Sequence, residues 1–137
     1  MILEVALLCM SLTAYHEARG EPFHGQIAVN QVALRRAALR SEDVCREIYR
    51  PGQFDGPRAH PRRKPKHAKP NEWARAEQAA RAALIWAQHG IGQDYSRGAT
   101  HYHATHVRPS WTRCARLVAQ IKHHRFYDRV KPCKGGA

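Results

Sequence analysis

Apolar residues dominate from Ile2 to Ala18, interrupted only by Glu4, Ser11, Thr13 and the closing polar pair His16 and Glu17. A helix that is apolar nearly all round is a buried one, so the chain is expected to begin with a core helix over residues 2–18. Gly20 and Pro22 break it. Ile27, Ala28, Val32 and Leu34 mark an apolar stripe, and the polar face widens at Arg35, Arg36 and Arg40, which predicts a second helix over 24–39. Ser41 suits an N-cap, with Glu42 and Asp43 in the first turn of a short helix reaching about Tyr49. Five prolines between Arg50 and Pro70 exclude a long helix there and predict an extended loop. Asn71 then suits the cap of an alanine-rich helix ending at Gly90, with Trp73, Ala76, Ala80, Ala83, Leu84 and Trp86 available for burial. Gly92 to Gly98 reads as a turn region, residues 99–107 as a strand ended by Pro109, and 112–123 as a last helix. The tail is basic and is expected to fray.

Length and composition narrow the class. A chain of 137 residues supports one domain, taken here as 1–137, with 128–137 as its tail. Its hydrophobic content of 43% excludes wholesale disorder, and the lack of a sustained heptad excludes a rod. The expected fold class is α+β, mainly α, with a small β element. The first apolar stretch is too short to span a bilayer and lacks a basic leader and a cleavage site, so no transmembrane segment and no signal peptide are expected.

Charge changes the picture of partners. With 23 Lys and Arg against 11 Asp and Glu, the net charge is +12. Such a field favours a polyanion: nucleic acid, an anionic membrane or the bacterial wall. Much of it lies in the 58–69 segment, with Arg58, Arg62, Arg63, Lys64, Lys66 and Lys69. That loop is read as binding the wall or the outer-membrane surface, as holding nucleic acid nonspecifically, or as a solvated loop; it lacks an aromatic residue for base stacking. Cys9, Cys45, Cys114 and Cys133 form no C-x-x-C pair, which argues against a zinc ribbon. Four cysteines allow three pairings. Cys9–Cys45 and Cys114–Cys133 keep each bridge within one half of the chain; the alternative is four reduced thiols. His101, His103 and His106, with His16 and His24, contain no His-Glu-x-x-His motif, so no metal and no cofactor are expected.

The candidate chemistry lies at Tyr15-His16-Glu17-Ala18-Arg19-Gly20-Glu21. Glu17 ends a buried helix, where desolvation raises a carboxyl pKa and suits it to general acid work. The plain alternative is a surface ion pair with Arg19 or Arg35. Gln53 can bond acetamido or hydroxyl groups. Tyr102 and Trp111 can stack on sugar faces, and Thr100 and His103 are further contacts along the same strand, although alternation sets Thr100 and Tyr102 on one face and His101 and His103 on the other. Glu21, Asp55 and Asp94 are candidate second carboxylates, each also readable as a turn residue.

The stretch from Tyr15 to Val29 closely resembles the signature of the SleB-type cell-wall hydrolases. Val44-Cys45-Arg46-Glu47-Ile48-Tyr49 with Pro51-Gly52-Gln53-Phe54, then Gly98-Ala99-Thr100-His101-Tyr102-His103-Ala104 with Pro109-Ser110-Trp111, and Ile121-Lys122-His123-His124-Arg125-Phe126-Tyr127 are similar to its later blocks, in the same order. The resemblance spans roughly residues 5–127. It implies a lysozyme-like, mainly helical fold that cuts peptidoglycan glycan strands, with the family's catalytic glutamate falling on Glu17. Asp55 stands where a small or hydroxylic residue is more usual in that family. Compact size without an export signal looks like a phage endolysin: made in the bacterial cytoplasm, acting on the wall in the periplasm during lysis, and monomeric. The implied reaction is lytic transglycosylation between N-acetylmuramic acid and N-acetylglucosamine with one carboxylate. A hydrolytic muramidase is the alternative, and a basic nucleic-acid-binding protein is the alternative of another class.

Overall fold

The apolar opening stretch forms α1 (Leu3–Ala18), and Cys9, Met10, Leu12 and Ala14 on it are wholly buried. A computed structural model describes residues 3–52 and 54–133 of the chain. Around α1 pack α2 (Phe23–Leu39), α3 (Val44–Ile48), α4 (Asp55–Arg58) and α5 (Pro70–His89). β1 (His101–Ala104), a 3-10 turn at Ser110–Cys114, β2 (Arg116–Ile121) and β3 (His124–Asp128) complete the order, with the strands forming an antiparallel sheet in the order β1-β3-β2. The class is α+β, mainly α.

Small side chains let the helices approach closely. α5 turns Trp73, Ala76, Ala79, Ala80 and Ala83 into the core against α1 and α2. Full burial of a side chain such as Met10 or Leu12 contributes about 1.5–3 kcal/mol. Polar residues inside the bundle are matched. Asn30 Nδ2 donates to the Met10 carbonyl at 2.9 Å, tying α2 to α1. Gln31 donates to the Gln93 carbonyl and accepts from the Tyr95 amide, tying α2 to the segment that leads to β1. Cys9 is bonded to Cys45, joining α1 to α3, and Cys114 to Cys133.

Several local expectations are corrected. The α3 cap is Asp43, whose side chain accepts from the Arg46 amide, while Ser41 lies in a left-handed turn at φ 53°. α5 starts one step earlier than Asn71, with Lys69 as N-cap and Pro70 at the first helical position, where its missing N–H costs nothing. Within the proline-rich loop, α4 is a helical turn, because Pro57 sits where a first turn tolerates it. Gly90 ends α5 at φ 66°, as its position suggested. Of the tail expected to fray over 128–137, Asp128 belongs to β3 and Cys133 is bonded to Cys114, while Lys134–Ala137 lie outside the described residues.

The largest correction concerns 112–123, which is a 3-10 turn and a strand rather than a helix. Leu117, Val118 and Ile121 have helix-like spacing, yet β3 supplies a pairing partner from Arg116↔Asp128 to Ile121↔His124. The two-residue turn between the strands, Lys122-His123, carries no Gly or Asn signal, and Lys122 takes φ 46°. Tertiary contacts hold it: Lys122 Nζ donates to the Gly20 carbonyl at 3.1 Å, and the His123 amide donates to Glu21 Oε1 at 3.0 Å.

Candidate active site

Glu17 stands in the last turn of α1, at the point where that core helix reaches the surface. Its carboxylate is half-buried and is gripped from two other elements. The Tyr102 hydroxyl on β1 donates to Oε1 at 2.9 Å, and the Gly56 amide in α4 donates to Oε2 at 3.2 Å. Burial pushes the Glu17 pKa above the ordinary carboxylate value; the two hydrogen bonds pull it back in part, and the Asp55 charge adds to the rise. The result is a fixed carboxyl whose pKa is shifted upward, the direction a general acid needs.

Gly56 is required by close approach. A Cβ there would lie 2.5 Å from Glu17 Oε2 and 3.0 Å from His16 Cβ. Any side chain at this position would displace the carboxylate or push α4 off α1. Sequence reasoning singled out the neighbouring Asp55 and passed over Gly56; the glycine following Asp55 was the available signal.

Tyr102 is braced by rings. It meets His124 edge-on at 5.1 Å and leans on Phe126 at 5.6 Å and Phe54 at 6.0 Å. Burial and the adjacent Glu17 charge push its own pKa well up, so it stays a neutral phenol and a donor.

The other predicted sugar contacts divide between places. His103 is buried on the opposite side of β1 from Tyr102, with Nε2 2.9 Å from the Tyr127 hydroxyl and its ring stacked on Tyr127. Trp111 meets Tyr127 edge-on at 5.2 Å and also contacts the His101 and His103 rings. Thr100 pairs its hydroxyl with His101 Nδ1 at 2.9 Å, and its carbonyl accepts from Arg36 at 3.0 Å. At the strand edge His101, Tyr102 and Trp111 share a small cavity of about 80 Å³ with Arg36, Gly52 and Phe54. Burial, with Arg36 nearby, lowers the His101 pKa to about 4, so that ring is neutral at pH 7. Gln53 lies outside the described residues.

The three candidate second carboxylates have different fates. Glu21 is buried and accepts from the His123 amide, with His123 and His124 Nδ1 at 3.2 and 3.5 Å. Asp94 pairs with Arg35 and accepts from the Ser96 and Gly98 amides, which closes the turn before β1. Both brace turns. Asp55 is exposed, and of the three it is the one whose charge acts on Glu17. Among the described residues no three His, Cys, Asp or Glu side chains group as metal ligands. No described helix is long and apolar enough to cross a membrane.

The chain matches the family described as Cell Wall Hydrolase over residues 20–127. The matched span begins just after Glu17. No curated protein and no solved structure matches the chain significantly.

Proposed function

The chain belongs to the cell wall hydrolase family, and from that premise we propose that it cuts the glycan strand of peptidoglycan between N-acetylmuramic acid and N-acetylglucosamine, with Glu17 as acid and then base. One observation carries the assignment. Glu17 is a half-buried carboxyl with a raised pKa, held by Tyr102 and Gly56 from two separate elements.

Glu17 gives its proton to the glycosidic oxygen, the bond from that oxygen to the muramic C1 breaks, and positive charge develops on the muramic ring. The carboxylate now present at Glu17 takes the proton of the ring's own C6 hydroxyl, and that oxygen closes on C1. The products are a 1,6-anhydromuramic end and a free C4 hydroxyl on the departing sugar. This sequence needs one carboxylate and no water. The hydrolytic reading needs a second carboxylate to activate water, and Asp55 is the residue whose position favours it. The single-carboxylate route is preferred because Asp55 is exposed and Glu21 and Asp94 are held in braces. The biological setting we infer is bacterial wall lysis of the endolysin kind, consistent with a charge of +12 and an anionic wall.

Digestion of purified murein with mass analysis of the fragments tests both levels. Anhydro ends, each one water lighter than a reducing end, are expected. Reducing muramic ends would replace the transglycosylase reading with the muramidase one, and intact murein would overturn the proposed function.

Tyr102→Phe tests the site through pH. The Tyr102 hydroxyl bonds the charged form of Glu17, so its loss raises the Glu17 pKa further. The acid then stays protonated to higher pH, and the alkaline limb of the kcat/KM profile moves upward. An unmoved or lowered limb would remove Glu17 as the titrating acid.

A further inference from the structure

A cavity of about 450 Å³ opens beside the last turn of α1, on the His16 side of Glu17. Tyr15, His16 and Arg19 form one wall, and His60, Arg63 and Lys66 of the basic loop form the other. The walls meet where the His16 ring stacks face to face on His60, with centroids 4.1 Å apart and planes 4° from parallel. His16, which lines the cavity, precedes Glu17 in α1, and both side chains crowd the Cβ position of Gly56.

Its lining is cationic and contains no acidic residue. Arg19 is held by the Tyr15 hydroxyl at 2.6 Å and lies over that ring. Arg63 and Lys66 are exposed and form no ion pair among the described residues. From the sequence alone this loop has three readings: a contact to the wall or the outer-membrane surface, a nonspecific hold on nucleic acid, or a solvated loop.

The N-acetylated sugars of a murein strand are uncharged. The negative charge of the polymer sits on the free carboxylates of the peptide stems, which hang from the muramic residues next to the bonds to be cut. We propose that this cavity is a subsite for the peptide stem, in which Arg63 and Lys66 pair with stem carboxylates while the strand lies against Glu17. The inference rests on the proposed peptidoglycan-cleaving function. Pro61, Pro65 and Ala68 give the cavity small apolar walls that suit the alanine side chains of a stem. An anionic lipid surface fits less well, because residues 59–69 offer no large apolar side chain to insert.

The test compares soluble, uncross-linked murein strands with the same strands after carbodiimide amidation of their carboxylates. Two exposed charge pairs are screened by solvent, so amidation is expected to lower wild-type kcat/KM by about tenfold at low salt, equivalent to about 1.4 kcal/mol. The loss shrinks at high salt. R63A/K66A, checked for an unchanged melting temperature, is expected to treat both substrates alike. Equal sensitivity of wild type and variant to amidation, or no sensitivity in either, would overturn the subsite. So would unchanged sensitivity together with loss of sedimentation onto phosphatidylglycerol vesicles, which would make the loop a lipid contact. Failure of wild type to cut either substrate would strike the proposed function itself, a different and recognisable result.

Discussion

Glu17→Gln lowers murein cleavage by at least about a hundredfold and leaves the fold intact. Gln keeps an oxygen for the Tyr102 hydroxyl or the Gly56 amide, so the three elements that meet at this point stay joined. It has no proton to give the leaving oxygen and cannot take one back. The stability effect has a definite sign. Burial raises the Glu17 pKa, so the stability tied to its protonated form is full at low pH and declines as pH rises through the raised value. Gln carries no such decline. The variant should therefore match wild type in acid and equal or exceed it above neutrality. Thermal melts at several pH values, alongside murein turnover, check both parts. A variant that folds normally and cuts murein at the wild-type rate would remove Glu17 from the chemistry.

The largest loss of stability is expected at Glu47→Ala. The Glu47 side chain is fully buried, and its two oxygens face the Nε atoms of Arg36, Arg40 and Arg50 at 3.4, 3.0 and 3.3 Å. These contacts tie α3 to α2. Arg40 and Arg50 are partly exposed and can turn to water, so their share is discounted. The Arg36 side chain is only 10% exposed, and the variant leaves its charge without that buried carboxylate. Removing one partner of a buried ion pair costs about 3–5 kcal/mol, and the lower end applies because Arg36 keeps its bond to the Thr100 carbonyl. A fall in Tm of about 10 °C follows for a chain of this size. Arg116→Ala is the contrast: it breaks the exposed pair with Asp128 and should barely move the melt. Similar shifts in the two variants would refute the argument from burial.

Arg36 also links this network to the site, since it reaches the residue before β1 and lines the small cavity beside Tyr102. The electrostatics of α2 and α3 thus help set the position of the strand that holds Glu17. Arg35 does similar work one residue earlier, binding Asp94, the Ser96 hydroxyl and the Ala99 carbonyl. Sequence reading treated these arginines as a widening polar face. In the folded chain they anchor the segment that leads to β1.

Legibility followed the range of the interaction involved. The α1 helix, the α2 stripe and the Gly90 stop depend on neighbours within a turn or two, and these appear as periodicity and punctuation. β2 depends on β3 and on the Glu21 brace a hundred residues away along the chain, and local spacing pointed to the wrong element. Alternation along β1 did anticipate that Tyr102 and His103 point to opposite faces, and the tertiary structure gave each face its partners: Glu17 on one, Tyr127 and Trp111 on the other.

By itself the sequence determined a buried first helix ending in a carboxyl group, a mainly helical chain around it and a cationic loop, because each is written in adjacent residues. Only the tertiary structure decided what surrounds that carboxyl: the phenol of Tyr102 lies 85 residues away and the amide of Gly56 39 residues away. Hydrogen bonds act over about 3 Å. No pattern in a linear chain states which distant groups will come within that reach; packing α1 against α4 and the sheet does.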